Sequence, residues 1–437
     1  MKPKEIILLI FIMVAGVFFY YAHTGRLHIE WSLDDHLFFF NLEEFTFQET
    51  QNIKPPYPPL LQIENAHGDV EIQGSEEEKI IITFQKIIWR KNEQQAKEVS
   101  DELDMIIDKN EQRLSVSTNQ SEFRRRNFET NFRISVPPGI NIEVKNSHGL
   151  VKTKNVSNTH IYNRHGKIIA SQIDGELFIQ NSYQDVEVDH VKSNCQVESK
   201  HSDLFIHRVE GDATLDHRYG RIHVEDVSKN TKIEGSHSEV FGQSLLGEVE
   251  VVTSYKDIIL IDVGPTRITG SHSSVEVEGA EHSLDIQHKY GKIKLSNIQG
   301  NLFINGKNVE IYGRSMVGEK ISVSSSYRNL EMVDFSGETS ITLSHGEITL
   351  EPLPLTHPVN VRGDYANINF YWPPGEKYPF EARAKGGDIL WNHPSELTLR
   401  EENGITAIKA FVEEKDKPSI FLSTRYGIIR VKEQTKM

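Results

Sequence analysis

Across the middle of the chain, apolar and polar residues alternate in short runs, and the runs recur. In residues 183–200 the apolar places are Val186 and Val188, then Cys195 and Val197. The next stretch gives Leu204 and Ile206, then Ala213 and Leu215. From Tyr219 they are Ile222 and Val224, then Thr231 and Ile233; from Tyr290 they are Ile293 and Leu295, then Leu302 and Ile304. A period of two turns one face of a short strand inward. Each half-repeat of about nine residues therefore predicts one strand. Gly, Ser, Asn and Asp fall between the strands, where turns need them. A strand pair this short cannot bury its face alone. Stacking one coil on the next buries a continuous apolar column, so the repeats are stable only as an array.

A ring marks the phase of each repeat. His or Tyr stands at 165, 183, 201, 219, 237, 255, 272 and 290, in steps of 18, 18, 18, 18, 18, 17 and 18. The unit reads Ser/Lys/Arg–His/Tyr–x–x–Val/Ile/Leu, as in Arg164-His165-Gly166-Lys167-Ile168 and Ser254-Tyr255-Lys256-Asp257-Ile258. A fixed period of this length is the mark of a solenoid. The expected fold is all-β, a parallel β-solenoid of two-strand coils about 18 residues long. An antiparallel meander of hairpins would share the period. However, the Asn-Gly and Asp-Gly turns that hairpins favour do not recur with the repeat.

In a stacked array, equivalent places lie about 4.8 Å apart. His148, His165, Tyr183, His201, Tyr219, His237, Tyr255, His272, Tyr290, Tyr327 and His345 are thus expected to form a structural corner ladder of flat rings. His and Tyr alternate from 165 to 290, which places successive histidines about 9–10 Å apart. Two nitrogens at about 2 Å from one ion cannot share it across that gap. No metal site, cofactor site or catalytic residue is assigned.

The ends depart from the pattern. Residues 1–26 carry Lys2 and Lys4, then an uncharged run from Ile6 to Tyr21. This reads as a single transmembrane helix, an uncleaved signal anchor with its N-terminus cytoplasmic and the body exported; a cleaved signal peptide is the alternative. Residues 27–61 hold Leu37-Phe38-Phe39-Phe40 and Pro55-Pro56-Tyr57-Pro58-Pro59, and read as a stalk. Residues 62–140 hold a first copy of the unit and a small α/β insertion that caps the column, with a helical spacing from Asn92 to Ile107. The main array is 141–370, and 371–437 holds irregular repeats and a C-terminal cap.

Composition narrows the function. The 437 residues carry a formal net charge of −15, which disfavours nucleic acid as a partner. Arg124-Arg125-Arg126 is a local exception that reads as a solvated loop. The single cysteine, Cys195, rules out an internal disulfide framework and falls at an inward strand place. Asp69, Asp185, Asp203 and Asp257 share one repeat place, as paired acids of a polysaccharide-cleaving enzyme would. Lys167, Arg221, Glu239, Ser274 and Lys292 occupy that same place elsewhere, so the column reads as a solvated face.

The chain resembles the bacterial "putative adhesin" family of β-strand-repeat proteins nicknamed Toastrack, a domain of unknown function. The resemblance is carried by the helix-and-strand insertion and by the step from Ile134-Ser135-Val136-Pro137-Pro138-Gly139 into Val144-Lys145-Asn146-Ser147-His148-Gly149-Leu150-Val151. The close at Leu422-Ser423-Thr424-Arg425-Tyr426-Gly427-Ile428-Ile429 also matches. Family members write the unit as Ser/Asn-Gly-Asp-Ile/Val; Gly68-Asp69-Val70 and Gly387-Asp388-Ile389 fit, and the inserted His or Tyr departs from it. The resemblance implies a solenoid-like envelope protein and carries over no catalytic residue. The expected role is noncatalytic, adhesin-like binding or scaffolding, with an envelope glycan or envelope protein as ligand and the membrane as anchor. A polysaccharide-active β-helix enzyme and a histidine-based metal or pH sensor are the alternatives.

Overall fold

The computed structural model describes residues 42–123 and 127–434. The N-terminal segment read as a signal anchor, the Leu37–Phe40 cluster and Arg124–Arg126 lie outside these residues. Among the described residues no helix is long and apolar enough to cross a membrane.

The repeats stack in parallel. Val186 pairs with Leu204, Leu204 with Ile222, Ile222 with Val240 and Val240 with Ile258, each step being 18 residues. On the second face Cys195, Ala213, Thr231 and Val249 form the matching column. This register makes the molecule a parallel β-solenoid and removes the antiparallel meander. The inward side chains of both columns are at most 1% exposed. Burying a Val, Leu or Ile contributes roughly 1.5–3 kcal/mol, and the period places several in every coil.

Two strands per coil were expected, with a turn at the ring. Instead, several strands run through the ring without a break: Cys195–Val209, Ala213–Val227, Thr231–Leu245, Thr266–Ala280 and Leu284–Ile298. The ring residue is a single left-handed kink, with φ of +54° at His201, +65° at Tyr219 and +57° at His237. A second kink follows at Arg208, Asp226 and Ser244, with φ of +54° to +57°. One left-handed residue redirects the strand while its neighbours stay paired, so no separate turn is needed.

At the N-terminal end the first coil, Leu60–His67 with Val70–Gly74, is not outermost. Asn141–His148 and Val151–Val156 flank it on one side; Arg113–Thr118 and Phe128–Val136 flank it on the other. Ile80–Arg90 pairs antiparallel with both Phe128–Val136 and Glu43–Ile53. Residues 43–53, read as stalk, are therefore a strand of the cap. The helix is Glu93–Glu102, with the Asn92 side chain accepting from the Gln95 N–H, and Ala96 packs with Ile88, Leu103 and Phe128. It is shorter than the spacing suggested. Ile106 and Ile107 lie exposed on strand Met105–Lys109, which Arg113–Thr118 pairs with antiparallel.

The C-terminal end repeats this arrangement. After Val359–Trp372 the chain forms an outer coil, Phe380–Lys385 with Ile389–Asn392. The hairpin Thr398–Glu402 and Ile405–Ala410 covers an edge of that coil. Ile420–Arg425 and Ile429–Glu433 then return and lie between the two earlier coils.

Candidate functional site

The phase-marking rings form one column. Centroids lie 4.7 Å apart for His148–His165, 5.0 Å for His165–Tyr183, 5.5 Å for Tyr183–His201 and 4.9 Å for His201–Tyr219. The stack continues through His237, Tyr255, His272 and Tyr290 at 4.6–5.4 Å. Asn308 takes the next place, with φ of +56°. Rings resume at Tyr327 and His345, 4.9 Å apart. Three further rings belong to the column: His67 packs edge-on at 4.4 Å from His148, Tyr365 stacks on His345, and Tyr426 stacks on Tyr365. The sequence shows these three as copies of the unit, yet the excursions at both ends take them out of the 18-residue period.

Ring stacking explains why tyrosine is tolerated here. Left-handed φ suits Asn, Asp and His better than Tyr and costs on the order of 1–2 kcal/mol for an ordinary residue. An offset-stacked pair returns about 0.5–1.5 kcal/mol, and Tyr183, Tyr219 and Tyr255 each have a ring on both sides, whereas Tyr290 and Tyr327, next to Asn308, have one. Tyr183, Tyr219 and Tyr255 are 49–54% exposed, so their faces are covered and their edges meet solvent. The run His67, His148, His165 breaks the His/Tyr alternation. Burial, and then the adjacent His67, hold His148 below the ordinary histidine value. Among the described residues no three His, Cys, Asp or Glu are placed to hold a metal ion.

Two places before each ring, a polar column turns inward. It runs Asn65, Asn146, Asn163 and Asn181, then Ser199, His217, Gly235, Thr253, Gly270, His288 and Gly306. The asparagine amides donate to corner carbonyls, as from Asn163 Nδ2 to Gly166 O at 3.0 Å and to Gly149 O at 3.1 Å. Where histidine enters the column, its neighbours shrink. His288 lies between Gly270 and Gly306, and a Cβ on Gly270 would sit 2.9 Å from His288 Nδ1. His217 is fully buried, with Ser238 Oγ and the Ser202 carbonyl each at 2.9 Å. Burial pushes the pKa of both histidines down. Their offset from Tyr219 and Tyr290 was the sequence signal for this position.

Two open grooves lie over parts of this column. The N-terminal one, about 920 Å³, has Glu64, Lys145, Tyr162, Gln180, Glu198 and Asp216 along one wall. The second, about 440 Å³, passes over Gly235, Thr253, Gly270, His288 and Gly306.

The aligned acids serve the backbone. Oδ1 of Asp69 accepts from the Leu150 N–H at 2.8 Å, Asp185 from Asp203 at 3.0 Å, Asp203 from Arg221 at 2.9 Å, and Asp257 from Ser274 at 2.8 Å. Each clips its coil to the next. The Arg221 guanidinium, 2.6 Å from Asp203, also holds that carboxyl below the usual range. Cys195 is buried, and burial pushes its thiol up to about 12. Three histidines outside the two columns make local pairs: His207 with Asp189 and Asp226 at 3.1 Å each, His190 with Glu210 at 3.2 Å, and His223 with Glu225 at 2.7 Å.

Neither a family profile nor a curated protein matches this sequence. Two solved structures are similar to it. One is described as a "putative cell adhesion protein" from Clostridium sporogenes ATCC 15579, 11% identical, with 89% of this chain and 100% of that one covered and a TM-score of 0.19. The other is a "putative adhesin" from Bacteroides fragilis NCTC 9343, 15% identical over 63% of this chain and 97% of that one, with a TM-score of 0.23. Scores this low carry no argument about function, and the fold stands on the strand register described above.

Proposed function

We propose that this chain is a noncatalytic, adhesin-like binding or scaffold module of the bacterial envelope, anchored in the membrane by its N-terminal segment and displayed outside the cytoplasm. The observation that carries the reading is the regular long face, where a ring ladder and two open grooves cross many coils on one rigid column. The noncatalytic part is supported by the aligned aspartates. A glycan-cleaving pair needs two carboxyl groups free to face a substrate, whereas Asp69, Asp185, Asp203 and Asp257 accept backbone N–H bonds between coils. Envelope glycans and envelope proteins are the partner classes this reading calls for.

The test is a pull-down with the full chain against native envelope extract and purified envelope glycans. Saturable retention of either supports the reading. Conversion of a retained glycan to shorter products in the same tube refutes the noncatalytic part, and retention of neither class refutes the reading as a whole.

A further inference from the structure

We propose that the second groove, over residues 252–307, binds a phosphate monoester carried on a polyol or sugar. This deepens the binding-module reading and rests on it. The residue before each ring place sets the charge of the corner. From Ser147 to Ser344 that place holds Arg164, Lys200, Arg218, Lys289 and Lys307, and serine in every other coil. It never holds an acid there, in a chain whose formal net charge is −15. Ser254, Ser271, Lys289 and Lys307 pair in register, so they form one outward row along a wall of the second groove. Lys289 and Lys307 stand directly opposite each other on adjacent strands, whose backbones are about 4.8 Å apart. Like charges so placed destabilise a sheet. Nearby lysines are compensated: Lys292 pairs with Glu310 at 3.7 Å and Lys294 with Glu276 at 3.3 Å. Lys289 and Lys307 have no such partner among the described residues, and no acid lines the groove they border. An anion between the two ammonium groups turns their repulsion into attraction.

The lining narrows the class. Its only fixed charges are the two lysines, since burial keeps His288 neutral in the floor. A phosphate monoester brings about −1.5 to −2 charges at pH 7 and three acceptor oxygens, which matches two ammonium groups. A carboxylate brings one charge and leaves the second lysine uncompensated. Lysine also binds phosphate as a point charge, whereas the planar fork that seats a carboxylate belongs to arginine, and no arginine lines this groove. The negative field of the whole chain repels a long polyanion, so the ligand's charge is confined to one group. Beyond the lysines the walls are hydroxyls and amides, from Ser254, Thr269, Ser271, Gln287 and Asn305. Each of these can both donate and accept, as a hydroxyl-rich body requires and a hydrocarbon tail does not. Val252, Thr269, Gln287 and Asn305 follow one another across three coil steps, or about 14 Å. That length holds a phosphate and a sugar or short polyol.

The test titrates the full chain calorimetrically with glucose 6-phosphate and glycerol 3-phosphate, with inorganic phosphate, glucose and glucuronate as comparisons. The expected result is saturable binding of at least one ester, tighter than that of any comparison compound. Lys289→Gln and Lys307→Gln are each expected to weaken it by about 10-fold or more, a factor that reports one lost charged contact. Lys294→Ala, outside the groove, is expected to leave binding unchanged. Both groove lysines are exposed, so their replacement leaves the core intact, and unaltered circular dichroism qualifies each variant as folded. Failure of both esters to bind overturns the inference. So does binding that both lysine variants leave intact, or glucuronate binding as tightly as the esters. Inorganic phosphate binding as tightly as the esters overturns the assignment of the walls to a hydroxyl-rich body. If the esters fail while the pull-down still retains a glycan or one defined protein, only the phosphate inference falls; if both fail, the binding-module reading falls with it.

Discussion

His217 and His288 are kept neutral inside the column because burial outweighs the carbonyls that would favour their charged forms. In the unfolded chain each titrates near the ordinary value of 6.5. The native values are lower, so as the pH falls below the ordinary value the unfolded state takes up protons that the folded state refuses. Their contribution to stability is complete above the unfolded value and is lost as acidity rises. The urea midpoint is therefore expected to be lower at about pH 5.5 than at about pH 7.5, and His217→Gln with His288→Gln should flatten that difference. An unchanged slope in the double variant would place the acid sensitivity elsewhere. The Cys195 thiol, at about 12, should resist a disulfide reagent at neutral pH in the folded protein and react fully once urea unfolds it. At the ring column, Tyr219→Ala loses the stack and keeps the left-handed strain, whereas Tyr219→Gly loses the stack and relieves the strain. The glycine variant is expected to be the more stable of the two by about 1 kcal/mol in urea unfolding, with Tyr219→His close to the parent. Asn308 shows that the place accepts a residue without a large ring.

Between coils, the repeating device is an Asx side chain that holds the next coil's N–H. Asp257 is a clean case, because it accepts from the Ser274 N–H and among the described residues its carboxylate makes no ion pair. Asp257→Asn keeps an acceptor. Asp257→Ala removes it and is expected to cost about 1 kcal/mol locally, read as faster hydrogen exchange at the Ser274 amide in the alanine variant alone. The coil itself was legible in the sequence, because inward places such as Val186, Leu204, Ile222, Val240 and Ile258 recur without error and nothing else buries them. The kink was not. Glu198 to Asp203 has the composition of a turn, and only the backbone shows one left-handed residue inside a continuous strand. The aspartates were aligned by the period, yet their hydrogen-bond partners are backbone atoms, to which composition is blind. The grooves were hidden for a related reason: their wall residues look like an ordinary solvated face.

At the scale of the whole molecule, both ends place one coil between two others. The N-terminal case joins His67 to His148, 81 positions further along the chain, a pairing that no local pattern encodes. The C-terminal case gives a direct expectation. Deleting residues 420–434 removes the coil on which both Val359–Trp372 and Phe380–Lys385 pair. Limited proteolysis should then cut within 373–419 far faster than in the full chain, while the 195–298 region stays protected; equal rates would mean that the outer coil holds without it.

The same interleaving bears on how the molecule carries a mechanical load. In a solenoid whose final coil is outermost, a pull on that coil peels it from a single neighbour, one residue pair at a time. Here a pull on residues 420–433 drags a wedge out of a joint, and the ladders on its two sides are sheared together. The joint tightens the end that would otherwise fray first, so a solenoid of this design is expected to fail in its interior before it unravels from that coil.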